Sequence, residues 1–533
     1  MRSRTATLAA ALALIAVCLW IVPDYGMGWD EPTRWRSGDR KVEYYAGFAE
    51  AESWREHIAT APKDLYPGLF DIPLALADRF LSIDRFLWGH YWSLFFGLAG
   101  LGAVWLTARR LERSNGWIPA GLCGALLLLL VPDYFGHMFI NPKDIPFAAA
   151  YGWAVFGLVA FVSGFPRPTW RRTLFFGLTV GLCMATRLPG GVVIGYAALT
   201  AALWLLIQRP AYSGWAPWFR DAGALLTRGV AAGIIALATL LPWWPAAHGN
   251  PFAAPAEAVG DLHSFSATIP VFYAGRVFEA GDGPATYALW MFLISMPPWF
   301  HALLALAVVA LATSWSSFVD CIRQGDARMW SLAAVALAAG FPMLYVTFAQ
   351  PAIHNGFRHM LYVLPPLAVL AALGLQWAGN RWLGEPNHRV FAYGGLVLLA
   401  LVAVSTLIRL HPYQYVYYNA LIGGPAGSYG RYETEYWFTS TKHGLEWLSQ
   451  WRQSAVAAEE NAAPIRLVIT GPWHVAEPFL PEGFELTGDP AKADLFMANT
   501  QMMMHTLHEG EVIHMIERMG LPILVIKDLR TGR

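Results

Sequence analysis

Long apolar runs recur along most of this chain, and they limit its fold more than any other feature. Of the 533 residues, 56% are hydrophobic and only 14% are charged, whereas about 25% of residues are charged in a soluble globular chain. A helix needs about 20 mainly apolar residues to cross a bilayer, because its backbone groups find no water there. The sequence therefore predicts an α-helical polytopic membrane protein surrounded by membrane lipids. About eleven transmembrane helices are expected near residues 7–23, 86–108, 117–132, 145–163, 174–186, 189–207, 229–245, 285–314, 331–348, 359–378 and 390–408.

Two of the predicted spans have features of their own. The first run, Thr7 to Pro23, follows two arginines and looks like the start of a signal peptide. No small-x-small cleavage motif and soluble domain follow it, so we interpret it as an uncleaved span. In the eighth span, Pro297 and Pro298 predict a kink, because proline removes a backbone donor and clashes with the preceding turn.

Basic residues fall on alternate loops between the predicted spans, which indicates the orientation of the chain. Short cytoplasmic loops carry the excess of arginine and lysine in membrane proteins. The N-terminus is therefore predicted to be cytoplasmic and the number of spans odd. In a bacterium this describes a multi-pass protein of the inner (plasma) membrane with a periplasmic or extracellular C-terminus. The opposite, extracytoplasmic side then holds residues 24–85, 133–144, 246–284, 349–358 and the tail from 409.

The charge balance and the cysteines exclude some functions. The formal net charge is zero, so no basic surplus points to nucleic acid as a partner. The four cysteines are scattered without a CxxC pair, which gives no metal framework and no disulfide pattern.

The tail differs in pattern from the rest of the chain. Short apolar runs at Ile465–Thr470, Leu495–Ala498 and Ile523–Ile526 predict buried strands, and helices are predicted at Glu446–Trp451 and Val512–Met519. Residues Ala457 to Ala463, rich in alanine and glutamate, are predicted to form a surface loop. We therefore predict a membrane domain at 1–408, whose first extracytoplasmic loop is 24–85, and a small extracytoplasmic α/β domain at 409–533.

Two adjacent carboxylates, Asp30 and Glu31, follow the first predicted span. A carboxylate at this place can take the proton of an attacking hydroxyl, which is the work of a general base. The alternative is a solvated loop that simply begins outside the hydrocarbon.

A second polar segment follows the third predicted span and includes Asn141, Lys143 and Asp144. Asn-Pro at 141–142 marks a turn, and the whole segment from 133 to 144 is predicted to be a short loop. Asp144 can instead serve the N-terminus of the next helix, where acidic residues are favourable.

Cations lie on the same predicted side. Arg358 and His359 stand at the start of the tenth span, where they oppose the helix dipole and suit an anion. The alternative is contact with lipid headgroups. Arg187, between two apolar spans, is either another phosphate ligand or a member of an interhelical ion pair.

Tyr413 and Tyr415 follow the last predicted span. Tyrosines at such a place usually form an interfacial aromatic belt. The alternative is a wall over the site, on which a sugar can pack.

The polar segments together offer a base and several fixed cations on one membrane face. Transfer of a sugar from a lipid phosphate needs both, because a hydroxyl loses a proton and the leaving phosphate gains charge. The rival functions are a transporter or flippase of a lipid-linked saccharide and a non-catalytic scaffold. Clustering of charges at span ends on one side disfavours transport, which needs charges near the midplane.

These segments resemble those of the GT-C glycosyltransferases of family 39, which include protein O-mannosyltransferases and lipid A aminoarabinose transferases. The resemblance covers roughly residues 1–440. It rests on the Asp30-Glu31 pair and on the stretches NPKDIPFA (141–148), RHMLYVLPPLA (358–368) and HPYQYVYYN (411–419).

The resemblance implies a GT-C membrane domain with an extracytoplasmic active site and a polyprenyl-phosphate sugar donor. It also implies inversion at the anomeric carbon, amphipathic helices in the first loop and Asp30 as the base. The acceptor stays open between protein, lipid and glycan. The family's Glu-Lys-Pro segment is absent, so Lys143 and Lys63 are both candidates for the phosphate, and we favour Lys143. No cofactor is certain, and a divalent ion, Mg²⁺ or Mn²⁺, on Asp30, Asp144 and His359 is left open.

Overall fold

The chain forms a large helical part, and most of its β-structure lies in the tail. The computed structural model describes residues 2–62, 64, 66–81, 84–113, 116–383, 385–455 and 463–530. Its α-helices are α1 (Arg2–Ile21), α2 (Glu31–Ala46), α3 (Trp54–Ala59), α4 (Asp71–Leu81), α5 (Arg85–Leu111), α6 (Ala120–Leu129), α7 (Pro132–Ile140), α8 (Asp144–Val162), α9 (Trp170–Thr186), α10 (Val192–Gln208), α11 (Trp215–Leu240), α12 (Ala254–Ala267), α13 (Tyr287–Ser295), α14 (Pro298–Thr313), α15 (Trp315–Arg323), α16 (Ala327–Ala349), α17 (Leu364–Trp382), α18 (Pro386–Leu410), α19 (Gly424–Ser428) and α20 (Ser440–Ala455).

The described helices confirm a polytopic membrane protein. Seven are long and apolar enough to cross a bilayer, and nine spans result if two bent helix pairs each count as one. Each of the eleven predicted spans coincides with a helix or a bent pair, but α1 and α9 fall outside those nine, so the number eleven remains a prediction. The kink expected at Pro297 and Pro298 is confirmed, since α13 and α14 meet at 112°.

The segment after the third span is not the loop that the sequence predicted. Residues Pro132–Ile140 form α7, which bends by 68° from α6. Pro132 stands in the first turn of α7, where a missing backbone N–H costs nothing. Only residues 141–143 remain as a turn, and this turn delivers Lys143 and Asp144 to the start of α8.

The loop between the first two predicted spans folds into helices, and α2 lies on α4. Val42 of α2 packs with Ile72 and Ala75 of α4. The same buried face carries Arg34 and Lys41, whose charges are paired with acidic residues of the loop. The helix is amphipathic as expected, but its inner face packs on protein.

The tail contains the small α/β unit that the sequence predicted. Strands β1 (Pro270–Tyr273) and β2 (Arg276–Glu279) form a hairpin in the loop after α11 and α12. The tail adds a five-stranded sheet in the order β4-β3-β5-β7-β6, in which β3 is parallel to both β4 and β5 and the β5–β7 and β7–β6 pairs are antiparallel. Its strands are β3 (Ile465–Ile469), β4 (Phe484–Leu486), β5 (Leu495–Asn499), β6 (Glu511–Arg518) and β7 (Leu521–Asp528).

Four of the elements predicted in the tail are confirmed and one is wrong. The strands near 465, 495 and 523 and the helix around Glu446–Trp451 are present. The predicted helix at Val512–Met519 is instead strand β6, which pairs with β7 across a turn at Met519 and Gly520, both with positive φ. The surface loop predicted at Ala457 to Ala463 lies almost entirely outside the described residues.

The tail packs back onto the segment between α1 and α2. The backbone N–H of Trp29 donates to the carbonyl of Trp437 at 3.3 Å, and His474 Nε2 donates to the carbonyl of Trp29 at 3.1 Å. Phe479 also packs edge-on against Phe86 of α5. Residues that are more than 400 positions apart therefore meet beside Asp30.

Candidate active site

Asp30 lies between two cations that come from distant parts of the chain. Its Oδ2 is 3.2 Å from Lys143 Nζ and 3.4 Å from Arg358 Nη1. Burial opposes ionisation of Asp30, but the charges of Lys143 and Arg358 outweigh it and hold the pKa of this carboxyl below its usual value. The Asp30 side chain is 23% exposed and that of Arg358 only 1%, so the carboxylate stands at the mouth and the arginine behind it.

The Asp30 side chain takes no part in capping the helix that begins next to it. Asp30 is the N-cap residue of α2, yet its carboxylate makes no capping hydrogen bond. The adjacent Glu31 accepts from the backbone N–H of Gly28 at 2.7 Å. Because Glu31 secures this turn, the Asp30 carboxylate is left for Lys143 and Arg358.

Asp144 joins the remaining cations. Its Oδ1 is 2.6 Å from Arg187 Nη1 and its Oδ2 is 3.4 Å from Arg358 Nη1. Asn141 Nδ2 donates to Asp144 Oδ2 at 3.0 Å, while Asn141 Oδ1 accepts from the backbone N–H groups of Lys143 and Asp144. Asn141 therefore holds the turn that leads into α8, and the carboxylate of Asp144 binds both arginines.

His354, in the loop before Arg358, contacts the guanidinium of Arg358. Arg358 Nη2 donates to His354 Nε2 at 2.9 Å. Burial, together with the nearby Arg358 and Lys143, lowers the pKa of His354 well below its usual value, so the imidazole is neutral and can accept. The ring of His359 packs on that of His354, 4.5 Å between centroids. Arg358 is 1% exposed, and its guanidinium is paired with Asp30 and Asp144.

A buried glutamate from the tail fixes the same loop. Glu433 Oε2 accepts from the backbone N–H of Gly356 at 2.9 Å and from the hydroxyl of Tyr287 at 3.2 Å. Gly356 has a φ of +70°, which favours glycine. Sequence reasoning missed Glu433, since it lies far from Arg358 along the chain.

Glu433 predicts a pH-dependent stability. Burial raises the pKa of Glu433 from 4.5 to about 7, so the folded state holds the proton more tightly than the unfolded one. The stabilisation is complete below about pH 4.5 and is lost as the pH rises through 7. We expect Glu433→Gln to remove this decline, which amounts to about 3 kcal/mol. Denaturant unfolding in detergent between pH 4.5 and 8 measures it, with the exposed Glu446→Gln as control. Equal slopes in both variants would contradict the prediction.

Glu31 does not face the cations. Besides the N–H of Gly28, its Oε1 accepts from His90 Nε2 at 3.1 Å. The two carboxylates predicted to work together thus point to different partners, Asp30 to Lys143 and Arg358, and Glu31 to His90.

Tyr66 is a further residue that the sequence did not single out. Its ring lies 4.8 Å from the guanidinium of Arg34, 5.5 Å from Lys143 Nζ and 5.7 Å from the guanidinium of Arg187. Burial opposes ionisation of Tyr66, but Lys143 and Arg187 lower the pKa of its hydroxyl. Tyr66 comes directly before Pro67, whose carbonyl lies 3.4 Å from Arg34 Nη2. The other candidate for the phosphate, Lys63, lies outside the described residues.

Tyr413 and Tyr415 are buried in a separate hydrogen-bonded cluster. The hydroxyl of Tyr413 bonds to His443 Nδ1 at 2.6 Å. The hydroxyl of Tyr415 donates to Glu435 and bonds to Thr439 at 2.8 Å. These hydrogen bonds lie within the tail, while the ring of Tyr415 also packs on that of His137 of α7. None of the contacts found within the described residues brings either tyrosine to Asp30.

The residues proposed for a divalent ion do not form a metal site. The described part of the chain contains no group of three or more His, Cys, Asp or Glu side chains that could hold a metal ion. Asp30 and Asp144 are instead paired with Lys143, Arg187 and Arg358. A carboxylate that is already neutralised by cations is a poor ligand for a further positive charge.

The fold and the site define a class: a polytopic helical membrane protein with alternating acidic and cationic side chains at one mouth and a small α/β tail. No family model matches the sequence, and no curated protein matches it.

The chain is similar to ArnT from Cupriavidus metallidurans bound to undecaprenyl phosphate, with 14% identity, a TM-score of 0.48 and 98% of both chains covered. The apo state of ArnT gives 14% identity, a TM-score of 0.49 and the same coverage. The archaeal oligosaccharyltransferase AglB from Archaeoglobus fulgidus, in complex with an inhibitory peptide and a dolichol-phosphate, gives 11% identity and a TM-score of 0.44, with 92% of this chain and 69% of that chain covered. These identities and TM-scores are low, so the proposed function rests on the geometry of the site.

Proposed function

We propose that this chain is a GT-C glycosyltransferase of the family 39 type. It moves a sugar from a polyprenyl-phosphate donor to an extracytoplasmic acceptor, with inversion at the anomeric carbon. The observation that carries the proposal is the position of Asp30, with Oδ2 at 3.2 Å from Lys143 Nζ and 3.4 Å from Arg358 Nη1. A base and the charges that a leaving phosphate needs therefore stand at one mouth.

The reaction is a single displacement. The acceptor oxygen attacks the anomeric carbon from the face opposite the phosphate, and its proton passes to Asp30. The bond between the anomeric carbon and the phosphate oxygen breaks, and its electron pair stays on the phosphate. Attack from the opposite face inverts the configuration. The phosphate gains one charge, which Lys143 and Arg358 stabilise in a site with little water.

The remaining site residues hold these groups in place. Arg187 contributes a further positive charge, and Asp144 bridges Arg187 and Arg358 and offsets the repulsion between them. Asn141 fixes the turn that presents Lys143. His359 acts through His354, against which it packs. Tyr66, among three cations, lies where a donor phosphate would bind.

The distribution of arginines supports the cellular side of the reaction. The described site is formed by segments on the side opposite the basic loops, which is the periplasm or the exterior of a bacterial inner membrane. The N-terminus is then cytoplasmic. A donor whose phosphate lies at the bilayer surface reaches this mouth without leaving the membrane. The acceptor is a protein, a lipid or a glycan.

A transfer assay tests the proposal. The purified full chain in lipid vesicles is given a radiolabelled undecaprenyl-phosphate sugar together with an extract of bacterial envelope. We expect label to move from the donor to an acceptor in the extract. Intact donor that crosses the bilayer without transfer would identify a flippase instead. If the label neither moves nor crosses, the chain is a scaffold, and the proposed enzyme is refuted.

A further inference from the structure

A small cavity lies against the Glu31–His90 pair. Its volume is about 10 Å³, and its polar wall includes Glu31, His90 and Ser93. Aromatic side chains, among them Trp35, Phe70 and Phe139, form much of the rest. The cavity is therefore polar at one end and apolar elsewhere, with room for one water-sized group such as a hydroxyl.

The polar end has unused hydrogen-bonding capacity. Glu31 Oε2 and His90 Nδ1 are buried and make no hydrogen bond within the described residues. The two residues are only 3% and 1% exposed. Buried polar atoms are normally paired, so this pair is suited to receive a ligand. A Cβ on Gly89, which lines the cavity, would be 4.0 Å from Glu31 Oε2, so this oxygen faces the Gly89 side of the cavity.

The chemistry of the cavity points to a hydroxyl group. A carboxylate oxygen accepts a hydrogen bond from a hydroxyl and repels a phosphate. An ammonium group has three N–H donors, whereas only two buried polar atoms at this end of the cavity, Glu31 Oε2 and His90 Nδ1, are without a hydrogen bond within the described residues. The space next to Glu31 is small, so one hydroxyl fits where a whole lipid headgroup does not.

The cavity is next to the cationic site along two segments of the chain. Glu31 follows Asp30 directly, and Pro142, which also lines the cavity, precedes Lys143. Consecutive Cα atoms are about 3.8 Å apart. A group in the cavity therefore lies next to the residues that carry Asp30 and Lys143.

We propose that the Glu31–His90 cavity is an acceptor subsite that holds one sugar hydroxyl while another hydroxyl of the same acceptor meets Asp30. The inference rests on the proposed function and narrows its acceptor to a saccharide-bearing molecule. Asp30 and Glu31 point to different partners, so an acceptor that engages both carboxylates needs at least two hydroxyls. A serine or threonine side chain has one. Water can offer the same hydrogen bond, and the experiment distinguishes it.

Two glycines of α5 provide a matched pair of variants. In Gly89→Ala the new methyl would meet Trp35 Nε1 at 3.8 Å and Glu31 Oε2 at 4.0 Å, so it fits without conflict and fills the cavity. In Gly102→Ala the methyl would meet Trp153 Cζ2 at 3.9 Å, away from the cavity. Alanine is the better helix former at both positions, so both variants are expected to fold.

The experiment measures three quantities on the full chain: binding of undecaprenyl phosphate, transfer of label at increasing amounts of envelope extract, and hydrolysis of the donor without extract. We expect Gly89→Ala to raise the amount of extract needed for half-maximal transfer about tenfold, since a hydrogen bond to a charged group is lost. Binding of undecaprenyl phosphate should stay at the wild-type value. Gly102→Ala should match the wild type in all three measurements.

The outcomes separate the subsite from the proposed function. Unchanged half-maximal transfer in Gly89→Ala, or a change in donor hydrolysis alone, would overturn the subsite, because the cavity would be unused or would hold only water. Label that mild alkali releases from serine or threonine would also overturn it, although transfer itself would stand. Label in a saccharide that resists alkali supports it. If the wild type transfers no label at all, the proposed function fails first, and the subsite with it.

Discussion

Asp30→Asn is expected to lower sugar transfer by about 10²–10⁴-fold, the usual contribution of a general base. The amide is close in shape to the carboxylate but cannot take the acceptor's proton. The fold should survive, because Asp30 stands at the mouth and its side chain caps no helix. Transfer from a radiolabelled undecaprenyl-phosphate sugar gives the rate, and thermal unfolding in detergent gives the stability.

Binding of undecaprenyl phosphate gives a second test of the role of Asp30. Asp30→Asn frees Lys143 and Arg358 from their shared carboxylate partner, so binding of undecaprenyl phosphate should be equal to that of the wild type or tighter. Asp24→Asn is the matched control, since Asp24 is a nearby carboxylate that pairs with His411 at the surface. Near-normal transfer by Asp30→Asn would exclude Asp30 as the base. Loss of donor binding would show that it serves the donor instead.

Asp144→Asn is expected to lower the free energy of unfolding by about 3–5 kcal/mol, the cost of breaking a buried ion pair. Asp144 is 2% exposed and is the shared partner of Arg187 and Arg358. The amide leaves Arg187 buried without an ion-pair partner in the described structure. Denaturant unfolding in detergent measures the loss.

A surface pair of similar geometry serves as the control for Asp144. Asp39 pairs with Arg85 at 2.7 Å, but its side chain is 39% exposed. Asp39→Asn should therefore cost about 1 kcal/mol or less. Equal losses in the two variants would show that Asp144 is not the buried anchor of the arginines. Together, the Asp30 and Asp144 variants separate a carboxylate that acts in chemistry from one that holds the site together.

Apolar runs and prolines allowed much of the membrane part to be predicted. Span positions follow from length and composition, because the bilayer imposes both. The bend at Pro297 and Pro298 follows from proline geometry alone. By contrast, α7 was interpreted as a loop, since its Asp, Gly and His residues are typical of a polar turn. Tertiary packing buries every residue of α7 and overrides that local signal.

The tail shows where a short pattern is ambiguous. Val512–Met519 has apolar residues at spacings that suit either a helix or a strand. The segment is a strand because it pairs with β7. The turn at Met519 and Gly520 permits this pairing, and Gly520 is the residue that indicates it in the sequence.

The site was predictable as a set of residue types but not in its pairings. Asp30, Lys143, Asp144, Arg187 and Arg358 were all chosen from their positions at span ends, and the structure joins them through direct contacts. The direction of Glu31 was not predictable, because its partner His90 is an unremarkable residue within an apolar helix. Tyr66 and Glu433 were not predicted as site residues, because the residues that they contact are distant from them in the sequence.

Both backbone polar groups of Trp29 are held by the tail, the N–H by Trp437 and the carbonyl by His474. The peptide that immediately precedes Asp30 is thus anchored to the α/β unit as well as to the helices. The conformation of the chain at Asp30 therefore depends on the tail as well as on the membrane helices. A chain truncated before the tail would lose both of these hydrogen bonds.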